Sequence, residues 1–277
     1  MRKLFNILVL AASIAASFVS VGFADQSNGL RKMLTGDESR GWEAVGRLNI
    51  AGKNMCTGAL IAPDLVLTAA HCLFDKDSRQ MVDATKIEFL AGWRGGRASA
   101  YANVKRAVVH PDYVFATDSD DIRVRNDLAV LQLTRPINKS SITPFKTDVR
   151  PRKGADVGIV SYAHDRADTP SIQESCRVLA RQSGTLIMSC DVDFGSSGAP
   201  VFLMNKNSPP RIVSVVSAMA DVNGRKVSLG MSLEEPLAEI LAKLKATEGP
   251  FQRTTPVSRR LVTQGGISRS GAKFVRP

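Results

Sequence analysis

The sequence predicts an all-β fold, a barrel or a sandwich, with one helix near its C-terminus. Three observations predict it. Short β-rich runs separated by turn residues recur from residue 42 to residue 233. No repeated helical spacers lie between them, which argues against a βαβ plan. A single late stretch switches to helical spacing. With 277 residues, 44% of them hydrophobic, the chain can bury a substantial core, as one large domain or two small subdomains.

The elements follow in chain order. Residues 1–24 read as an export leader. Arg2 and Lys3 precede an apolar stretch at 4–21, and small Gly22 and Ala24 occupy the −3 and −1 positions of a cut before Asp25. A membrane anchor is the alternative, because the stretch approaches spanning length; the small-residue exit favours cleavage. Residues 25–41 are polar and weak in strand signals, an N-terminal arm or a propeptide. Strand-like runs then occupy 42–50, 58–61 and 65–68, the last two joined at Pro63-Asp64. They continue at 86–92, 102–110, 128–133, 155–162, 175–180, 185–190, 199–204, 211–219 and 226–233. A helix is expected at 234–248, where Leu237, Ile240, Leu241 and Leu244 share one face, with Glu234 and Glu235 near its start and Gly249 beyond its end. Residues 249–277 lack periodicity and are rich in Gly, Ser, Pro and Arg, a flexible tail.

The formal net charge is +11, and the leader carries two of those charges. Basic residues without acidic ones follow Glu248, so much of the excess sits in the tail. Such a tail can touch anionic surfaces without specificity. It has no aromatic–basic pattern that would indicate specific nucleic-acid binding. Export places Cys56, Cys72, Cys176 and Cys190 where disulfides persist. Three pairings are open. Cys56 with Cys72 and Cys176 with Cys190 closes two short loops and is preferred, while a zinc site built from all four lacks the usual spacing.

Three short segments carry candidate chemistry. A serine nucleophile needs a base within reach and a third group to orient that base. Three histidines are present, His71, His110 and His164. His71 lies in LTAAHC beside Cys72, and by itself reads as an ordinary partly buried histidine. Asp127 opens the apolar run NDLAVLQL, where a strand-start aspartate commonly accepts backbone hydrogen bonds. Ser197 lies in GSSGAPVF, whose Gly195 and Gly198 either make an ordinary loop or permit a turn that aims a hydroxyl and two amides at one point. The acidic run DSDD at 118–121 lacks a spaced calcium-ligand pattern and reads as an exposed loop.

Taken together, CTGALIAPDLVLTAAHC, NDLAVLQL and GSSGAPVF resemble the His, Asp and Ser blocks of the chymotrypsin-like (trypsin-like) serine peptidases. They most resemble the secreted bacterial branch, which includes the glutamyl endopeptidase-like proteins. The resemblance spans roughly residues 42–233. It implies two packed six-stranded antiparallel β-barrels with the site in the cleft between them. It also implies His71 as general base, Asp127 as its orienting acid, Ser197 as nucleophile and the amides of Gly195 and Ser197 as the oxyanion hole. Cys56–Cys72 would match the disulfide bracketing the histidine, and Ser217 the start of a substrate-lining strand. No metal or organic cofactor is implied, and the substrate is a protein or peptide.

The pattern departs from the animal digestive enzymes in elements of activation and of the specificity pocket. Ser196 stands where they carry an aspartate that pairs with a freed N-terminal amine, and no Ile-Val-Gly-Gly start occurs. For specificity, Asp191 lies six residues before Ser197, where an acid selects Arg or Lys; Asp193 is the alternative pocket acid. Met219 replaces a pocket-wall glycine. The expectation is a monomeric, secreted or periplasmic serine endopeptidase with a basic P1 preference. A catalytically inactive binding module on the same fold is the alternative.

Overall fold

The computed structural model describes residues 29–115, 120–148, 151–205, 208–222 and 224–246. The leader at 1–24 and the tail at 249–277 lie outside the described residues. Strands β2 (Val45–Ile50), β3 (Asn54–Ala62), β4 (Leu65–Thr68), β5 (Ile87–Ala91), β6 (Ala100–Val109) and β7 (Ala129–Leu133) follow a short β1 (Arg31–Lys32). They close the first barrel in the order β2-β3-β4-β7-β6-β5. Strands β8 (Asp156–Ser161), β9 (Ser171–Gln182), β10 (Thr185–Met188), β11 (Pro200–Asn205), β12 (Ser208–Val222) and β13 (Arg225–Met231) form the second. Its ring runs β9-β10-β13-β12-β11-β8 and closes where β8 pairs β9. All these pairings are antiparallel. The fold is therefore two six-stranded barrels with a C-terminal helix.

Alternation along the strands builds each barrel. In β2, Leu48 and Ile50 are buried while Arg47 and Asn49 between and beside them are partly exposed. In β6, Val104 and Val108 point inward while Tyr101 and Lys105 face solvent. Strand β7 is buried along its whole length, because helix α2 (Glu234–Ala246) covers part of the outer face of the first barrel. Leu237, Ile240 and Leu244 supply the buried stripe of α2, and Arg106 donates to the Leu244 carbonyl at 3.1 Å. Glu234 and Glu235 in its first turn and Lys243 and Lys245 in its last complement the helix dipole. The helix follows the second barrel yet rests on the first, so it straps the two together.

Between the barrels, Trp42, Phe145 and Phe202 form an aromatic cluster with centroids 4.7–5.9 Å apart. From the arm, β1 adds to the edge of β9, and Met33 is fully buried after donating its N–H to Pro170. The acidic run differs from its reading as a loop: Asp120 and Asp121 open helix α1 (Asp120–Arg125), while Asp118 and Ser119 lie outside the described residues. Buried Val124 anchors that helix and Arg123 and Arg125 occupy its last turn.

Candidate active site

Strand β4 ends in a single 3-10 turn, Ala70–Leu73, that carries His71. Cys72 in the same turn is bonded to Cys56 on β3, so the turn is tied covalently to the neighbouring strand. Across from it, α1 delivers Asp127: Asn126 and Asp127 donate back to Ile122 and Val124 as the helix ends, and β7 begins directly after. The Asp127 side chain is 1% exposed. Its carboxylate takes the His71 backbone N–H at 2.7 Å, His71 Nδ1 at 2.6 Å and the Ser217 hydroxyl at 2.5 Å.

These contacts set the chemistry of the imidazole. A carboxylate only accepts hydrogen bonds, so Nδ1 carries the proton and the Nε2 lone pair remains as a base. A buried charge is costly unless hydrogen-bonded, and three donors meet that requirement for Asp127. Tyr113 lies beside the pair, and burial, reinforced by the Asp127 charge, pushes its hydroxyl pKa far up, so it stays neutral. Cys56, His71 and Cys72 lie close enough together to resemble a metal cluster, but the two sulfurs are bonded to each other and offer no thiolate.

Ser197 is half-buried in the turn between β10 and β11. Its carbonyl accepts the Thr57 N–H of β3 at 2.9 Å, which fixes the second barrel's turn to the strand that holds Cys56. Gly198 explains how close that approach is. With φ +79, a Cβ there would sit 2.2 Å from Thr68 Oγ1 and 2.3 Å from the Thr57 carbonyl. The turn is thus pressed against the residues leading into His71. Ser197 Oγ makes no hydrogen bond among the described residues; the sulfur of Cys72 lies 3.9 Å from His71 Nε2. Catalytic hydrogen bonds in a resting site are often loose and tighten with substrate.

The amides of Gly195 and Ser197 donate to no described residue. Each follows a carbonyl that is held: Phe194 O accepts from His164 N at 2.9 Å, and Ser196 O from Ala199 N at 2.9 Å. In a planar trans peptide the N–H points opposite the C=O, so anchoring both carbonyls turns both amides away from their anchors. Gly195, at φ +96, has no room for a side chain, since a Cβ would lie 2.8 Å from Ala163 Cα.

Asp191, Asp193 and Met219 line one open groove of about 500 Å³ with Leu30, Arg166 and Lys226. Ser217 turns toward Asp127 instead. Asp191 and Asp193 are both exposed, so neither is an acid at the base of a buried pocket; the Asp193 carboxylate accepts the Phe194 N–H at 2.7 Å. Cys190, bonded to Cys176 on β9, anchors the start of this segment. A larger groove of about 680 Å³, between Ala100–Asn103 and Thr134–Lys139, contains none of these residues. The other two histidines stand apart: His110 is buried and reaches Glu239 of α2 at 3.3 Å, and His164 is exposed.

Sequence reading did not single out Thr57. It is fully buried, and besides its backbone bond its hydroxyl donates to Gly195 O at 3.1 Å and accepts from Tyr162 N at 3.0 Å. The only signal was its place beside Cys56.

A family model described as Trypsin matches residues 35–231. Serine protease 23 of Homo sapiens is 29% identical over 168 residues, covering 53% of this chain and 43% of that protein. Mast cell protease 3 of Ovis aries is 36% identical over 98 residues, 35% of this chain and 34% of its own length. The chain therefore matches less than half the length of these curated relatives. The solved structure of Glu endopeptidase in complex with MPD shares the fold, with a TM-score of 0.65 at 21% identity over 79% of this chain and 97% of that one.

Proposed function

The chain belongs to the trypsin family, and from that premise we propose that it is an exported serine endopeptidase. His71 Nε2 takes the Ser197 proton as the hydroxyl attacks a peptide carbonyl. The Gly195 and Ser197 amides hold the developing oxyanion, and His71 then protonates the leaving amine. Water repeats the attack on the acyl-enzyme. The chemistry uses side chains and amides alone, and its substrates are proteins or peptides met by a monomer.

The observation that carries this reading is the buried Asp127 clamped to both the backbone and the ring of His71. Such a clamp fixes tautomer and orientation together, which a base needs and a merely structural histidine does not. The test is reaction of the purified protein with a fluorophosphonate probe. Labelling of wild type but not Ser197→Ala is expected. Equal or absent labelling of both favours the second reading, an inactive binding module, whose support is that the Ser197 hydroxyl makes no hydrogen bond among the described residues.

Export rests on the leader at 1–24, with the secretory or periplasmic space as destination; N-terminal sequencing locates that cut and any cut in 25–41. The three sequence blocks support a place in the secreted bacterial branch. A basic P1 preference rests on the Asp191 carboxylate, which has no partner among the described residues. Lys32, Arg166 and Lys226 border the same groove and favour an acidic side chain instead. A substrate panel with Arg/Lys, Glu and Leu/Phe at P1 decides: fastest cleavage after Arg or Lys supports Asp191 as the selector, and fastest after Glu rejects it.

A further inference from the structure

We infer that Arg166 is a positioning residue that holds the oxyanion turn, residues 193–198, in shape through the buried hydroxyl of Ser196. The inference rests on the peptidase reading above and names a device within the same site. Ser196 is fully buried. Its Oγ lies 3.3 Å from Arg166 Nη2, 3.3 Å from the Asp193 N–H and 3.4 Å from Ser161 Oγ. A hydroxyl has one proton to give and two lone pairs to accept with. Arg166 and Asp193 fill the lone pairs and Ser161 takes the proton, so every capacity of this oxygen is spent on shaping the turn.

Arg166 itself is unusual. Its side chain is 7% exposed, while its one carboxylate partner among the described residues, Asp165, is 63% exposed. Its Nε is buried without a hydrogen-bond partner among the described residues. A buried guanidinium is costly unless well paired, so pairing alone gives no reason for its place. The turn does. The segment carrying Arg166 meets the turn at three points: Ala163 against Gly195, the His164 N–H on the Phe194 carbonyl, and the guanidinium on Ser196. The second contact sets the plane of the peptide that bears the Gly195 amide. Arg166 locks the segment to the turn from below and keeps that plane fixed. A cation supplied from within the chain also means that no freed N-terminal amine is needed to hold the turn.

The test compares Arg166→Met, Ser196→Ala and their double variant with wild type, each checked for a cooperative melt. In both single variants kcat is expected to fall roughly tenfold or more, toward the loss seen when an oxyanion donor is removed; in Ser196→Ala, whose hydroxyl is fully buried and outside the groove lining, KM should stay within about twofold. The double variant should be no worse than the poorer single. Amide exchange read by mass spectrometry should rise in segments 163–168 and 190–200 and stay level elsewhere. Unchanged kcat in a folded single variant, a loss confined to KM, additive losses, or unchanged exchange would overturn the inference. Should Arg166→Met not fold, Ser196→Ala and Arg166→Lys carry the same readouts. If wild type fails to react with the fluorophosphonate, the peptidase reading fails, while the exchange comparison still decides whether Arg166 holds the turn.

Discussion

The first barrel supplies His71 and Asp127, joined by a hydrogen bond at 2.6 Å and braced by the Cys56–Cys72 disulfide. The second barrel supplies the Ser197 turn, which has no charge pair of its own among the described residues and is held by carbonyl–amide bonds, two glycines with positive φ and a buried hydroxyl that meets Arg166. The difference teaches how each half should fail. The charged half has a few strong contacts that specify one protonation state, so single changes there stop chemistry without moving the backbone. The turn is a mesh of weaker contacts, so changes there shift geometry and stability together.

The largest effects belong to the groups proposed to react. Ser197→Ala is expected to lower kcat on the order of 10⁴-fold or more, by analogy with removal of a nucleophile in such sites. Asp127→Asn keeps the shape but offers His71 an amide where a carboxylate stood, so the wrong ring nitrogen carries the proton. A fall of about 10⁴-fold in kcat at neutral pH is expected, with the melting temperature little changed. A variant that loses stability as steeply as rate would show that Asp127 holds the fold and not the tautomer.

Next comes the turn. Gly198→Ala puts a methyl where Thr68 and Thr57 already sit, at a φ that alanine adopts poorly. Displacement of the turn by about 1 Å costs roughly 10²-fold in rate, and overpacking adds about 1–3 kcal/mol of destabilisation. Kinetics and a denaturant melt on one preparation should show both losses; a rate loss with full stability would mean the turn is stiffer than its weak contacts imply.

The two disulfides compare the halves directly, since they span similar separations, 16 and 14 residues. Replacing either pair by serine should cost about 3 kcal/mol from the loop-closure term. Activity measured below both melting temperatures should fall for the Cys56/Cys72 pair, because Cys72 follows His71, and should hold for Cys176/Cys190. Equal activities would remove the disulfide from the account of how His71 is braced.

What was legible in the sequence follows the same division. His71, Asp127 and Ser197 lie in recognisable sequence blocks; the strand-like runs gave an all-β barrel or sandwich, and the family resemblance implied the two barrels. The supports of the turn were not legible. Thr57 meets Tyr162 across 105 residues of chain, and a backbone N–H belongs to almost every residue, so no letter marks the ones that matter. Arg166 reads as one arginine in a polar loop until the fold buries it under Ser196. Helix α1 escaped notice because it spans six residues, with Val124 the deeply buried side chain among those described, which is too little periodicity to detect. Asp191 and Asp193 could be counted from Ser197, but counting does not give burial, and both face solvent.

The smallest expected effect tests whether the mesh is shared or dominated by one bond. Thr57→Val keeps shape and the backbone bond to Ser197 but removes the hydroxyl that serves Gly195 and Tyr162. Both main-chain groups are then left without that partner in a buried place, a cost of about 1–3 kcal/mol. Because the Thr57 N–H still fixes Ser197, kcat should fall only a few-fold, on the order of one lost hydrogen bond. Thr68→Val removes just the bond from Thr68 Oγ1 to the Thr57 carbonyl, at 2.9 Å. It should cost less in both measures. If Thr68→Val proves the more damaging, the turn hangs on the β3–β4 side near His71, and the two halves of the site are one structural unit after all.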